Sequence, residues 1–151
     1  MALAVIYNFN NWKKVIWLVT LFTIGHTLTL GLAAYKIINI DIVIIEFLIP
    51  VTIFITAFVN ILTIKKGKQK SSNINLIFAF FFGLIHGLGF SNYFRMLMDD
   101  TESKLLPLLE FAIGIEIAQV IIVIAILVFG YMAQTFFRIS KRDWVLVLSS
   151  I

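Results

Sequence analysis

Five ionisable side chains stand inside long apolar runs of this sequence: His26, His86, Glu46, Glu110 and Glu116. At a helix centre in a bilayer such a group costs about 2.5–3.5 kcal/mol on insertion scales, so each needs a partner or a purpose. Imidazole suits nickel, cobalt, zinc and copper, and carboxylate with water also suits harder ions. The same groups could pass protons, because histidine titrates near neutrality. The bland reading of any single one is a polar group that packs helices together. Two histidines and three glutamates together favour a cation pathway.

Depth can be read by counting. His26 is the twelfth residue of an apolar segment at Val15–Tyr35, and His86 the thirteenth of one at Ile74–Met98, so both fall near a midplane. Glu46 lies about two turns into a segment at Ile40–Ile64. Glu110 and Glu116 lie in the first half of Leu105–Phe137. The two imidazoles are therefore expected at the centre, with the carboxylates displaced toward one side. A cation entering from that side would meet oxygen ligands first and nitrogen ligands next.

The residues around them have spacings of their own. Thr23 and Thr29 are three residues either side of His26, so all three can share a helix face. A hydroxyl there would be placed to orient the ring, as supporting groups do at metal sites. Gly83 and Gly87 form a Gly-xxx-Gly pair beside His86, which lets another backbone come close. Glu116 and Gln119 are neighbours one turn apart, and Ala112 keeps their face small. Thr52, Thr56 and Asn60 recur every four residues and predict a stripe of interhelical hydrogen bonds.

The elements that must position these residues are membrane spans. Of the 151 residues, 61% are hydrophobic and 13% charged. Soluble domains average about half apolar and about a quarter charged. Apolar runs of about 18 or more residues read as spans. The expected fold is all-α, a polytopic bundle with spans near 15–35, 40–64, 74–98 and 107–137 and a partial helix at 143–151, forming one transmembrane domain. The run Leu105–Phe137 is about 50 Å long as one straight helix, so it tilts, bends near Gly114, or begins with an interfacial turn at Pro107.

Charge sets the orientation. Lys13, Lys14, Lys65, Lys66, Lys68, Lys70, Arg138, Lys141 and Arg142 fall in alternate loops on one side, against Lys36, Arg95 and Lys104 on the other. Nine against three makes the loops Lys65–Lys70 and Arg138–Arg142 cytoplasmic. Trp12, Trp17 and Trp144 lie near segment ends, where their rings suit an interface. The formal charge of +4 does not indicate nucleic acid, because no basic stretch is interleaved with aromatic residues. There is no cysteine, which removes thiolate metal sites and cysteine nucleophiles. No His-Glu-x-x-His, Walker A or nucleophile-elbow string occurs, so an enzyme is not expected.

At three of these places the chain resembles the HupE/UreJ family of membrane proteins. Phe22-Thr23-Ile24-Gly25-His26-Thr27-Leu28-Thr29-Leu30 is similar to the family's Phe-Thr-x-(Gly/Ala)-His-Ser-x-Thr-Leu helix. His86-Gly87-Leu88-Gly89-Phe90 matches its His-Gly-x-Gly-Phe segment. Phe111–Gln119 resembles its Phe-Asn-x-Gly-x-Glu-x-(Gly)-Gln segment, with Ala112 in place of the asparagine and Ala118 in place of the glycine.

The resemblance implies a multi-pass protein of the inner membrane, tied to hydrogenase and urease accessory systems and carrying nickel or cobalt. It implies His26, His86 and Glu116 as metal-site residues, with Gln119 beside them. Thr23, Thr29, Glu46 and Glu110 are the supporting residues, and Gly83 and Gly87 the packing ones. The implied partners are the lipid bilayer and the transported ion, with room for a homo-oligomer and no permanent cofactor. Family members also carry an earlier helix with an Asp-His pair. Met1–Tyr7 reads as the tail of such a helix, so the chain is expected to be a piece of a longer one. Two other functions fit the same residues: an accessory or scaffold protein that transports nothing, and a b-type haem protein with His26 and His86 as axial ligands.

Overall fold

The computed structural model describes residues 12–65, 72–97, 103–136 and 140–150. Lys66, Lys68, Lys70, Asp99, Asp100, Glu102, Arg138 and the Met1–Tyr7 segment lie outside the described residues. Among the described residues all regular secondary structure is helical, in five elements: α1 Trp12–Ala34, α2 Ile42–Lys65, α3 Ser72–Leu97, α4 Leu105–Phe136 and α5 Lys141–Ser150. The first four are each long and apolar enough to cross a membrane. The protein is a polytopic transmembrane bundle of four spans with a short fifth helix. Lipid offers the backbone no hydrogen-bond partners, so each spanning segment must satisfy its own amides as a helix.

The helix ends follow local chemistry. α1 stops where Lys36 adopts the left-handed conformation (φ 59°). The amide of Ile37 then bonds the Leu32 carbonyl and that of Lys36 bonds the Ala33 carbonyl, the double closure of a Schellman motif. The Lys104 ammonium donates to the Ala34 carbonyl at 3.2 Å, a cation at the negative end of α1. Asp41 caps α2 by accepting from the Val43 amide at 2.9 Å. The Ser140 hydroxyl accepts from the Asp143 amide, the N-cap bond that starts α5, and donates to the Asp143 carboxylate. Pro107 sits in the first turn of α4, where its missing N–H costs nothing, so the long run forms one continuous helix from Leu105.

α1 and α3 are the central pair and run parallel. α4 packs on α1, and α2 on α3. α5 lies against both α2 and α4, with Val145 fully buried and the Trp144 ring on Gly130. Trp144 is thus partly a packing residue rather than a free interface anchor. Among the described residues α2 and α4 have at most marginal contact with each other.

Candidate functional site

The seam between α1 and α3 is built on three glycines. A methyl group added at Gly83 would overlap the Phe22 carbonyl, and one at Gly87 would overlap the His26 carbonyl. On the other helix, a methyl at Gly25 would sit 2.5 Å from the Phe80 carbonyl oxygen. Two glycines one turn apart on α3, with Gly25 facing them from α1, let the two parallel backbones come into contact. The Thr29 hydroxyl lies 2.7 Å from the Leu84 carbonyl of α3, closing the same seam with a hydrogen bond. Gly83 and Gly87 therefore bring the His26 turn and the His86 turn side by side.

The seam between α1 and α4 is polar in the middle and apolar at both ends. At one end Val15 and Val19 pack on Val123 and Leu127. At the other, Leu30 and Ala34 pack with Phe94 and Leu108. Between them the Thr20 hydroxyl donates to the Glu116 carboxylate at 2.8 Å and the Thr23 hydroxyl reaches the Gln119 side-chain oxygen at 3.4 Å.

His26 is only 2% exposed, and neither ring nitrogen has a hydrogen-bond partner among the described residues. Such orphaned polar atoms are rare in native proteins and point to something absent from the bare chain. Aromatic rings surround the imidazole instead. Phe22 and Phe111 stack on it at 6.1 Å between centroids, and Phe90 tilts against it at 5.6 Å. His86 is half-buried and also touches Phe22, at 5.3 Å. Its Nδ1 lies 2.7 Å from the Phe82 carbonyl one turn earlier. A carbonyl only accepts, so Nδ1 carries the proton and Nε2 presents a bare lone pair.

Both imidazoles line one half-open cavity of about 490 Å³ between α1, α2, α3 and α4. Gln119, Thr52 and Thr56 supply its other polar groups, and the rest of the wall is aliphatic and aromatic.

Several expectations change at this level. Thr23 and Thr29 do share the buried face of α1 with His26, but their hydroxyls bond backbone carbonyls and Gln119, so neither orients the imidazole. Thr52 and Thr56 donate to Ile49 and Thr52 carbonyls of their own helix rather than across to another, the usual competitor for a hydroxyl inside a helix. Glu116 faces α1 and is not part of the cavity wall; Gln119, one turn on, is. Glu46 and Glu110 are exposed, each in the first two turns of its helix, and neither joins the wall. Among the described residues no three His, Cys, Asp or Glu side chains are grouped to hold a metal ion. Phe22, Phe82 and Phe90 were not singled out from the sequence, although Phe82 and Phe90 flank His86 at four residues on either side and Phe22 precedes His26 by four.

The family model described as HupE / UreJ protein matches residues 1–151, the whole chain. No curated protein and no solved structure matches it. A match over the full length, in a bundle whose glycines set two histidine-bearing turns together at mid-span, makes this chain a member of the HupE/UreJ family.

Proposed function

We propose that the chain carries a divalent transition metal, nickel or cobalt, across the inner membrane, with His26 and His86 as the nitrogen ligands along its path. One observation carries this reading: two imidazoles at mid-span share a cavity, and both ring nitrogens of the buried His26 have no partner among the described residues. Intramembrane ionisable groups that face a bundle interior mark ion paths. In this reading Gln119 belongs to the wall, and Glu116 serves the path by holding α4 to α1. The loops Lys65–Lys70 and Arg138–Arg142 are cytoplasmic, and Glu46 and Glu110 lie toward the opposite side.

A second reading has its own observation. The Thr20–Glu116 and Thr23–Gln119 pairs are helix-locking bonds, as a membrane accessory protein without transport would also need. Radioactive nickel uptake separates the two. Cells expressing the chain should accumulate nickel and cobalt, and His26→Ala and His86→Ala should lower uptake roughly 10–100-fold, the scale on which loss of metal-site groups acts. Equal uptake by cells with and without the chain sinks the permease reading.

A further inference from the structure

Each of the three segments that carry a site residue also carries a phenylalanine: Phe22 before His26, Phe90 after His86 and Phe111 before Glu116. The proposed path gives these rings no task. In the structure all three touch one imidazole. Phe22 and Phe111 stack on His26 at 6.1 Å, and Phe90 tilts against it at 5.6 Å. Packed aromatic pairs have centroids about 4.5–7 Å apart, so all three are direct contacts.

The two sides of His26 differ. The α1 residues that line the cavity are Val15, Leu18, Val19, Phe22 and His26. Along α1 the cavity therefore runs from the Lys13–Lys14 end up to the imidazole. Past His26, toward the end opposite the lysine-rich loops, side chains fill the bundle. Phe90 meets Phe111 at 6.0 Å, and Phe94 meets Phe111 at 5.9 Å. Phe94 is 3% exposed and packs with Leu30, Ala34 and Leu108, and Phe111 lies against that cluster. Leu30 and Ala34 stand one and two turns past His26 on α1. The rings thus form a layer between the imidazole and the outer ends of α1, α3 and α4.

The layer is not equally fixed throughout. Phe94 is buried, whereas Phe90 is 47% exposed and Phe111 is partly exposed. Phe90 and Phe111 each have a free side, so either ring can turn aside while Phe94 stays packed. A constriction of apolar side chains holds back ions by excluding water. It passes them when the rings part.

We propose that Phe90 and Phe111, backed by Phe94, are an outer gate over His26. Closed in this structure, the rings shut the imidazole off from the side opposite Lys65–Lys70, and their turning aside opens that side to the ion. The proposal rests on the permease reading and adds the device that closes one end of its path.

The chain has no cysteine, so His26→Cys supplies a single thiol beneath the rings. The probe is a membrane-impermeant cationic methanethiosulfonate, applied to right-side-out and to inverted vesicles. With the rings intact the thiol should react in inverted vesicles and stay unreactive in right-side-out ones. Phe111→Ala should raise the outer rate at least about tenfold, a barrier change of about 1.4 kcal/mol, and leave the inner rate unchanged. Phe90→Ala should act the same way with a smaller loss of packing, because that ring is already half exposed. Phe54→Ala, at an exposed ring of α2, should change nothing. Val145→Cys, at a fully buried position on α5, reports folding and should stay unreactive beside each ring substitution. If Phe111→Ala uncovers the Val145 thiol, Phe90→Ala decides. Outer rates that stay low in folded ring variants overturn the gate. A thiol that reacts equally from both sides, or from neither, with the rings intact overturns it as well, even if every variant misfolds. Nickel uptake is measured separately, so these results leave the permease reading standing. A gate response in a chain that takes up no nickel overturns that reading instead, and leaves the rings sealing a space that no ion crosses.

Discussion

Gly87 of α3 rests against the carbonyl oxygen of His26 on α1, so closely that one added methyl group would overlap it. The contact ties the position of the buried imidazole to the absence of a side chain on another helix. Gly87→Ala, and likewise Gly83→Ala against the Phe22 carbonyl, must push the two backbones apart. Overpacking of this kind costs about 1–3 kcal/mol. Gly31→Ala meets only a Leu108 methyl at 3.8 Å, and Gly114→Ala meets nothing. Thermal unfolding in detergent should fall for the first pair and hold or rise for the second, since alanine favours a helix by about 1 kcal/mol over glycine. Equal stability across all four would contradict the close approach of α1 and α3.

The Thr20–Glu116 bond should be measurable as a coupling. Membrane hydrogen bonds between helices average about 0.6 kcal/mol and reach about 1.7 kcal/mol. In a double-mutant cycle of Thr20→Val and Glu116→Leu, each single change should destabilise the bundle, and the pair should cost less than the sum by an amount in that range. Glu116→Gln keeps an oxygen acceptor for Thr20 and should retain most of the stability. A Glu116→Gln variant that keeps nickel uptake would assign Glu116 to the seam; one that folds yet loses uptake would return it to the path.

The contact of His86 Nδ1 with the Phe82 carbonyl fixes a tautomer. Nitrogen NMR of labelled His86 should show the proton on Nδ1, with Nε2 unprotonated. Addition of zinc, a diamagnetic ion that imidazole binds, should shift the Nε2 signal most. A proton found on Nε2 in the metal-free protein would remove His86 as a ready ligand.

Orientation is tested at the loops that follow α2 and α3. Reporter fusions after Lys70 and after Asp100 should lie in opposite compartments, the first cytoplasmic by the excess of lysine and arginine on its side. The same compartment for both would mean that one of the four helices does not cross.

What could be read along the chain is what lipid imposes locally. A spanning segment must be apolar and must close its own backbone hydrogen bonds, so α1, α2, α3 and α4 stand out as runs, and the mid-span depth of His26 and His86 follows from counting. The sequence left open whether Pro107 begins an interfacial turn, and the structure places it inside the first turn of one continuous α4. Facing was not legible in the same way. A helix that meets lipid on one side and protein on the other is apolar all round, so no periodicity says which side is inside. That is why Glu116 and Gln119, one turn apart, could not be told apart until both were seen to meet α1 and only Gln119 to reach the cavity wall. The Thr23 and Thr29 hydroxyls had both the imidazole and nearby carbonyls within reach, and only packing decided for the carbonyls and Gln119. The cavity itself has no sequence signal, because it arises where α2 and α4 flank the glycine-locked pair of α1 and α3 without closing on each other.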